Sequence, residues 1–307
     1  MNRREFLGRI GQGATAAALL QAKSAAGKAT GMYPALNSVL ISGRAKWPEF
    51  AELAARVGYP GVDVDLGRAM QEGAEATRAL LGRLKLKPAA VSFPVDFRKD
   101  DTVFQAGLKK LGAAAEFAAA IGCPRMATSV IASSPLPKDE QRKIYKERFT
   151  AAAEVLAGSG VRLGLEFLGP LALRRRNPHE FIWRMSEMAE FAAECGPNVG
   201  LLLDAWHWHH AGATTEDIIT AGKQRIVHVH ISDSAKLPPE QVKDNERLLP
   251  GEGVIDLTGF LRALAKIGYS DAVSIEVFGR TKDMPVEEAA AAGLKSTLEV
   301  MKKAGVA

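Results

Sequence analysis

Cysteine is nearly absent from this chain, with two in 307 residues, Cys123 and Cys195. Two distant thiols do not make a disulfide framework, so the fold must rest on a buried apolar core, which a chain of this length can supply. Whether the two pair stays open at this point. Long apolar runs are missing as well. The weakly apolar stretch over about residues 10–20 is short and broken by Gly and Gln, and nothing else approaches the roughly 20 residues that a spanning helix needs. A stable membrane span is therefore not expected. Formal net charge is +5, and Arg3, Arg4, Arg9 and Lys23 against Glu5 supply the larger part of it, so the remainder is nearly neutral. That leaves no clearly basic face for nucleic acid. No Ser/Gly or Pro linker divides the chain beyond its first 30 residues, and no histidine precedes His179.

What is present is a repeated alternation. Apolar strand candidates begin near Ala35, Gly61, Pro88, Arg125, Arg162, Val199, Ile226 and Ala272, about every 30 residues. Between them lie segments with apolar residues at three- and four-residue intervals, among them 47–57, 102–121, 138–157, 178–195 and 285–303. Pro178 and Pro285 mark expected helix starts, and Gly58, Gly122, Gly160, Gly196 and Gly268 expected stops. Runs such as LGLEF and VGLLLD are almost wholly apolar, as strands buried on both faces are. The pattern predicts an α/β fold, a single-domain (β/α)8 TIM barrel over 30–307 with an extension over 1–29, in keeping with roughly 250 residues for such barrels. The alanine-rich stretch 113–120 keeps helical periodicity and carries no function.

The chemistry lies at strand ends. Glu166 closes LGLEF, Asp204 closes VGLLLD, His230 sits in IVHVHISD and Glu276 in AVSIEVF. Barrel enzymes place their sites at the carboxyl ends of the strands, so these four side chains would converge at one mouth. Three carboxylates and one imidazole form a hard, oxygen-rich set that suits one manganese, magnesium or cobalt ion, with zinc admitted, and leaves positions open for substrate oxygens. His207, one helical turn from Asp204, is placed to hydrogen-bond a substrate oxygen, and Trp206 to wall the pocket. His228 shares a face with His230 by strand alternation but lies deeper, where a buried structural imidazole is expected. His209 and His210 receive no role, and Arg174, Arg175 and Arg176 read as a solvated loop.

On these residues the chain resembles the xylose isomerase-like TIM barrels, a superfamily of sugar phosphate isomerases and epimerases. It is most similar to the branch holding ketose 3-epimerases, hydroxypyruvate isomerases and inosose dehydratases. Glu166, Asp204, His230 and Glu276 match the family's metal ligands in order, with Asp-x-x-His at Asp204 and His207, His-x-x-Asp at His230 and Asp233, and the LPGEGVID loop at 249–256. The resemblance implies a metal-dependent keto-sugar isomerase or epimerase. Glu166 and Glu276 would move a proton next to a metal-chelated carbonyl, through an enediolate. It also implies a cationic substrate grip after the metal histidine, often Arg in the 3-epimerases; Lys236 is the candidate here, beside His207 and Trp206. The partner is a small carbohydrate, with no nucleic acid, and association into a homo-oligomer stays open. A lyase or dehydratase acting on an inosose or 3-keto-glycoside would use the same first step. An AP endonuclease-like repair enzyme shares the barrel, but it needs early-strand histidines that this chain lacks.

The extension resembles a twin-arginine export signal. RREFL, with Arg3, Arg4, Phe6 and Leu7, stands where that signal has its core, followed by the Gly/Ala-rich segment and small residues at Ser24, Ala25 and Ala26. It implies a signal over 1–29 and a periplasmic or exported enzyme.

Overall fold

The computed structural model describes residues 31–307, so the signal reading of 1–29 lies outside the described residues. Eight apolar segments form the barrel strands: β1 (Tyr33–Leu36), β2 (Gly61–Val64), β3 (Lys87–Ser92), β4 (Arg125–Val130), β5 (Arg162–Phe167), β6 (Val199–Asp204), β7 (Ile226–Ile231) and β8 (Ala272–Ile275). They close in the order β1, β8, β7, β6, β5, β4, β3, β2, so each strand lies beside its neighbours in sequence. The pairings are parallel, which requires a crossover after each strand, and the intervening segments supply it. Every residue of β6 and β7 is buried, which is why VGLLLD of β6 reads as an almost wholly apolar run.

The helices are α1 (Glu49–Val57), α2 (Leu66–Glu72), α3 (Ala74–Leu84), α4 (Asp101–Ala120), α5 (Lys138–Ala157), α6 (Leu171–Arg174), α7 (Met185–Cys195), α8 (Ala205–His210), α9 (Thr215–Arg225), α10 (Leu257–Lys266) and α11 (Val286–Ala304). All but the four-residue α6 have buried residues on one side. In α10 they include Leu257, Phe260, Leu261 and Leu264. Its start is fixed by Asp256, whose carboxylate accepts the Gly259 N–H at 2.8 Å. Helix α9 starts on a capping box in which Thr214 and Asp217 bond each other's backbone N–H.

One expected helix is shorter than its pattern suggests. The segment 178–195 becomes helical only at Met185. Before that, His179–Glu180 pairs antiparallel with Ser133–Ser134, and Asn177 donates to Ser133 Oγ from its backbone N–H (3.2 Å) and its side-chain amide (3.1 Å). Pro178 thus precedes a short strand rather than opening a helix. Pro285 does stand directly before α11. Cys123 and Cys195 are both buried and free. Among the described residues no helix is long and apolar enough to cross a membrane.

The connection from β7 to α10, residues 232–256, carries two short 3-10 turns, Pro239–Gln241 and Asp244–Glu246, and folds over the carboxyl mouth of the barrel. Asp233 organises it. Its Oδ1 accepts the N–H groups of Ser234 (2.8 Å) and Ile255 (3.0 Å), and its Oδ2 those of Gly251 and Gly253 (both 3.0 Å). Gly253 is needed for this wrap, because a Cβ there would run into the Ser234 carbonyl oxygen and the Asp233 carboxylate.

Candidate metal centre and active site

Glu166 is the penultimate residue of β5, Asp204 the last of β6, His230 the penultimate of β7, and Glu276 follows β8 directly. Strand register brings them level: Asp204 lies opposite His230, and His230 opposite Ser274. One ligand atom from each of the four lies within 4.8 Å of all the others. Asp204 and Glu166 are buried, His230 is 7% exposed, and Glu276 is half-buried.

The donor set has the character of a cation site. His230 Nδ1 stands 3.3 Å from Glu276 Oε2 and 3.7 Å from Glu166 Oε1, yet neither His230 Nδ1 nor Glu166 Oε1 makes a well-aligned hydrogen bond. Buried carboxylates and an imidazole this close together need a proton or a cation among them. Burial pushes the Glu166 carboxyl up to about 8, partly offset by the His230 ring. For Glu276 burial acts in the same direction, but the charges on His230 and Arg247 outweigh it and hold its carboxyl well below the usual range. His230 is driven up, against its burial, by Glu276 and Glu166.

Arg247, which the sequence reading passed over, is the central cation of the mouth. Its side chain is 1% exposed. Nη1 donates to Asp204 Oδ2 (2.6 Å) and Glu276 Oε2 (3.1 Å), and Nε to Asp244 Oδ1 (2.9 Å), while Nη2 meets His207 Nε2 at 3.3 Å. The guanidinium lies over the rings of Trp206 (4.6 Å) and Phe278 (4.8 Å). The three candidate carboxylates and one arginine leave a formal charge of about −2, which a divalent ion would neutralise.

The structure separates the other sequence candidates. Trp206 and His207 are buried beneath Arg247 and do not line the cavity, and burial pushes His207 down to about 4. Lys236 is exposed and also away from the cavity. The basic group bonded to Asp204, Glu276 and His207 is Arg247, 11 residues further along. Asp204 anchors the start of α8 by accepting the Trp206 N–H at 2.7 Å. His210 meets Ser234 Oγ at 3.1 Å. Arg174 lies over the Trp183 ring, apart from the site.

A cavity of about 700 Å³ opens from Glu166, His230 and Glu276 toward the first strands, where Asn37, Trp47, Phe50, Asp63 and Phe93 contribute to its wall. This is ample room for a six-carbon polyol. His228, expected to be a structural imidazole, is fully buried and lines the cavity, with neither ring nitrogen hydrogen-bonded.

The family model described as xylose isomerase-like TIM barrel matches residues 51–304. An inosose isomerase of Bacillus subtilis (strain 168) is 31% identical over 180 residues, 58% of this chain and 62% of that protein. The match thus spans about three fifths of that relative's length. A 3-dehydroshikimate dehydratase of Pseudomonas aeruginosa is 28% identical over 184 residues, 59% of this chain and 27% of that protein. A xylose isomerase domain protein from Alicyclobacillus acidocaldarius superposes with a TM-score of 0.82 at 29% identity, covering 89% of this chain and 99% of that one. The IOLI protein, whose crystal structure holds a zinc atom, gives a TM-score of 0.76 at 24% identity, covering 89% of this chain and 99% of that one.

Proposed function

The chain belongs to the xylose isomerase-like TIM barrel family, and on that premise we propose that it is a divalent-metal-dependent isomerase or epimerase of polyhydroxylated ketones, inososes and keto-sugars first among them. The observation that carries this reading is the convergence of Glu166, Asp204, His230 and Glu276, the first, third and fourth of which line a cavity large enough for a sugar. These four residues would hold the ion, which, when bound, would draw charge from a substrate carbonyl and its neighbouring hydroxyl and so acidify the carbon between them.

The protein's own groups supply the rest. Glu166 and Glu276 reach the cavity from β5 and β8, flanking His230, so one carboxylate can take the proton beside the carbonyl while the other delivers a proton to the opposite face. Arg247 keeps Glu276 oriented and places positive charge behind the developing enediolate. Trp47, Phe50 and Phe93 wall the cavity and limit water around the reacting carbon.

Loss of water is the second reading, supported by the likeness to the dehydratase relative. It shares the proton abstraction and differs in expelling a hydroxyl from the next carbon. The test is incubation of manganese-loaded protein in deuterium oxide with ketohexoses, inososes and 3-keto-glucosides, followed by NMR. An isomerised or epimerised product bearing deuterium beside the carbonyl is expected, because the returned proton comes from a carboxyl group in exchange with solvent. An unsaturated product carries the dehydratase reading instead. An isomerised or epimerised product that, like the recovered substrate, lacks deuterium would remove the proton-abstraction chemistry.

A further inference from the structure

His228 stands out among the buried polar groups of the barrel. It is 0% exposed, and neither of its ring nitrogens has a hydrogen-bond partner. A neutral imidazole always carries one N–H and one acceptor nitrogen, and leaving both unpaired away from water is costly. The ring lines the cavity, so its partner has to come from whatever fills that space. Beside it lies Asp63, also on the cavity wall, with Oδ1 3.7 Å from His228 Nε2. That separation is too long for a direct hydrogen bond. Asp63 is held from the other side by Ser274, whose Oγ donates to Oδ1 at 2.8 Å.

A carboxylate that only accepts, next to an imidazole that can donate, is matched by a group that does both at once. An alcohol hydroxyl is such a group: its hydrogen goes to the carboxylate and its oxygen lone pair takes the N–H. We propose that Asp63 and His228 form a hydroxyl-reading pair that selects substrates carrying a hydroxyl beyond the chelated carbonyl and its neighbour. The geometry sets the reach. The His228 ring is one step down β7 from the metal-ligand candidate His230, with ring centroids 5.1 Å apart, so the hydroxyl read is on the same molecule but not on the reacting atoms. The three side chains come from β2, β7 and β8 rather than from loops, so the distance between the reading pair and the metal centre is rigid. This inference rests on the keto-polyol reading above and adds that Asp63, from the first half of the chain, and His228, from the second, together read the hydroxyl pattern of the substrate.

The test pairs variants with substrate analogues. For manganese-loaded protein, kcat and KM are measured with an inosose and with each of its monodeoxy analogues, in the wild type and in Asp63→Asn and His228→Gln. Removing the hydroxyl that the pair reads leaves buried polar groups unmatched, so one analogue should lose roughly 30-fold or more in kcat/KM in the wild type, chiefly through KM. In either variant the inosose and that analogue should come within about threefold of each other, because the discrimination resides in the pair. Either variant alone decides the matter if the other does not fold. A common loss across every analogue, or a wild type that singles out none, overturns the proposal. Calorimetric binding of scyllo-inositol, which has no carbonyl, separates this inference from the proposed reaction. Binding that weakens in both variants while no inosose reacts upholds the pair and removes the reaction, and reacting inososes with no coupling do the reverse.

Discussion

Replacing Asp233 by Asn tests how the mouth of the barrel is held. The four backbone N–H groups on this carboxylate are divided two and two between its oxygens, Ser234 and Ile255 on Oδ1, Gly251 and Gly253 on Oδ2. An amide keeps only one accepting oxygen. Whichever way it turns, its NH2 group faces two donors, and two charge-assisted hydrogen bonds are lost at about 1.5–3 kcal/mol each. Partial opening of the loop to water limits the damage, so a loss of about 3 kcal/mol is expected by urea denaturation with the slope unchanged. The same opening releases Arg247, because Leu248 is tied to Asp233 by backbone bonds of 2.8 and 2.9 Å in both directions. Catalytic efficiency should therefore fall by about 100-fold, and hydrogen exchange should rise across residues 244–256 but not in α11. A shift below about 0.5 kcal/mol with unchanged exchange in that loop would refute the claim that Asp233 organises it.

The remaining expectations concern the ion, its ligands, the arginine and the N-terminus. Reconstituted protein should carry about one divalent ion per chain by elemental analysis, since four ligands suffice for one hard ion, and two or more ions would break that assignment. Glu166→Gln and Glu276→Gln should each lower turnover by about 100-fold or more while circular dichroism stays native, and full activity in either would free that residue of its role. Arg247→Met leaves Asp204 and Glu276 without their buried partner, so the metal-free variant should lose about 3–5 kcal/mol of stability, and manganese should restore more of its thermal midpoint than it adds to the wild type. Changing Arg3 and Arg4 together to Lys should strand active enzyme in the cytoplasm on cell fractionation, and undiminished periplasmic activity would remove the export reading.

Much of the barrel was legible because its strands are buried on both faces. Runs such as VGLLLD and IVHVHI cannot be read as anything half-exposed, and the eight expected strand starts lie within two residues of those observed. The metal candidates were legible for a related reason. A charged or imidazole group at the end of a wholly apolar run must face something that offsets its desolvation, and four such groups on successive strands can share one ion. The helix over 178–195 was misread because what delays its start to Met185 is a pairing of His179–Glu180 with Ser133–Ser134, more than 40 residues away. Local periodicity carries no trace of such a partner.

Arg247 was missed for a different physical reason. It sits in a loop without periodicity, and nothing in ERLLPGEG distinguishes it from a solvated cation, whereas Lys236 is closer to His230 in sequence but exposed. The available signal was Asp233 followed by a glycine-rich turn: an acid placed to gather backbone N–H groups draws the intervening loop, and the arginine on it, back over the strand ends. Asp63 and His228 were hidden in another way. Asp63 lies within β2, where alternation shows only that one polar residue points inward, and His228 read as structural because burial was foreseeable and the absence of a partner was not. The ligating groups come from β5 to β8 and share a rule of position that spacing reveals. The rest of the cavity wall is contributed largely by β1 to β4 and the segments that follow them, with His228 from β7, and these positions follow no rule that spacing alone encodes. The candidate metal site is therefore legible from repeated strand ends, whereas Asp63, His228 and Arg247 are isolated residues whose neighbours appear only when the barrel closes.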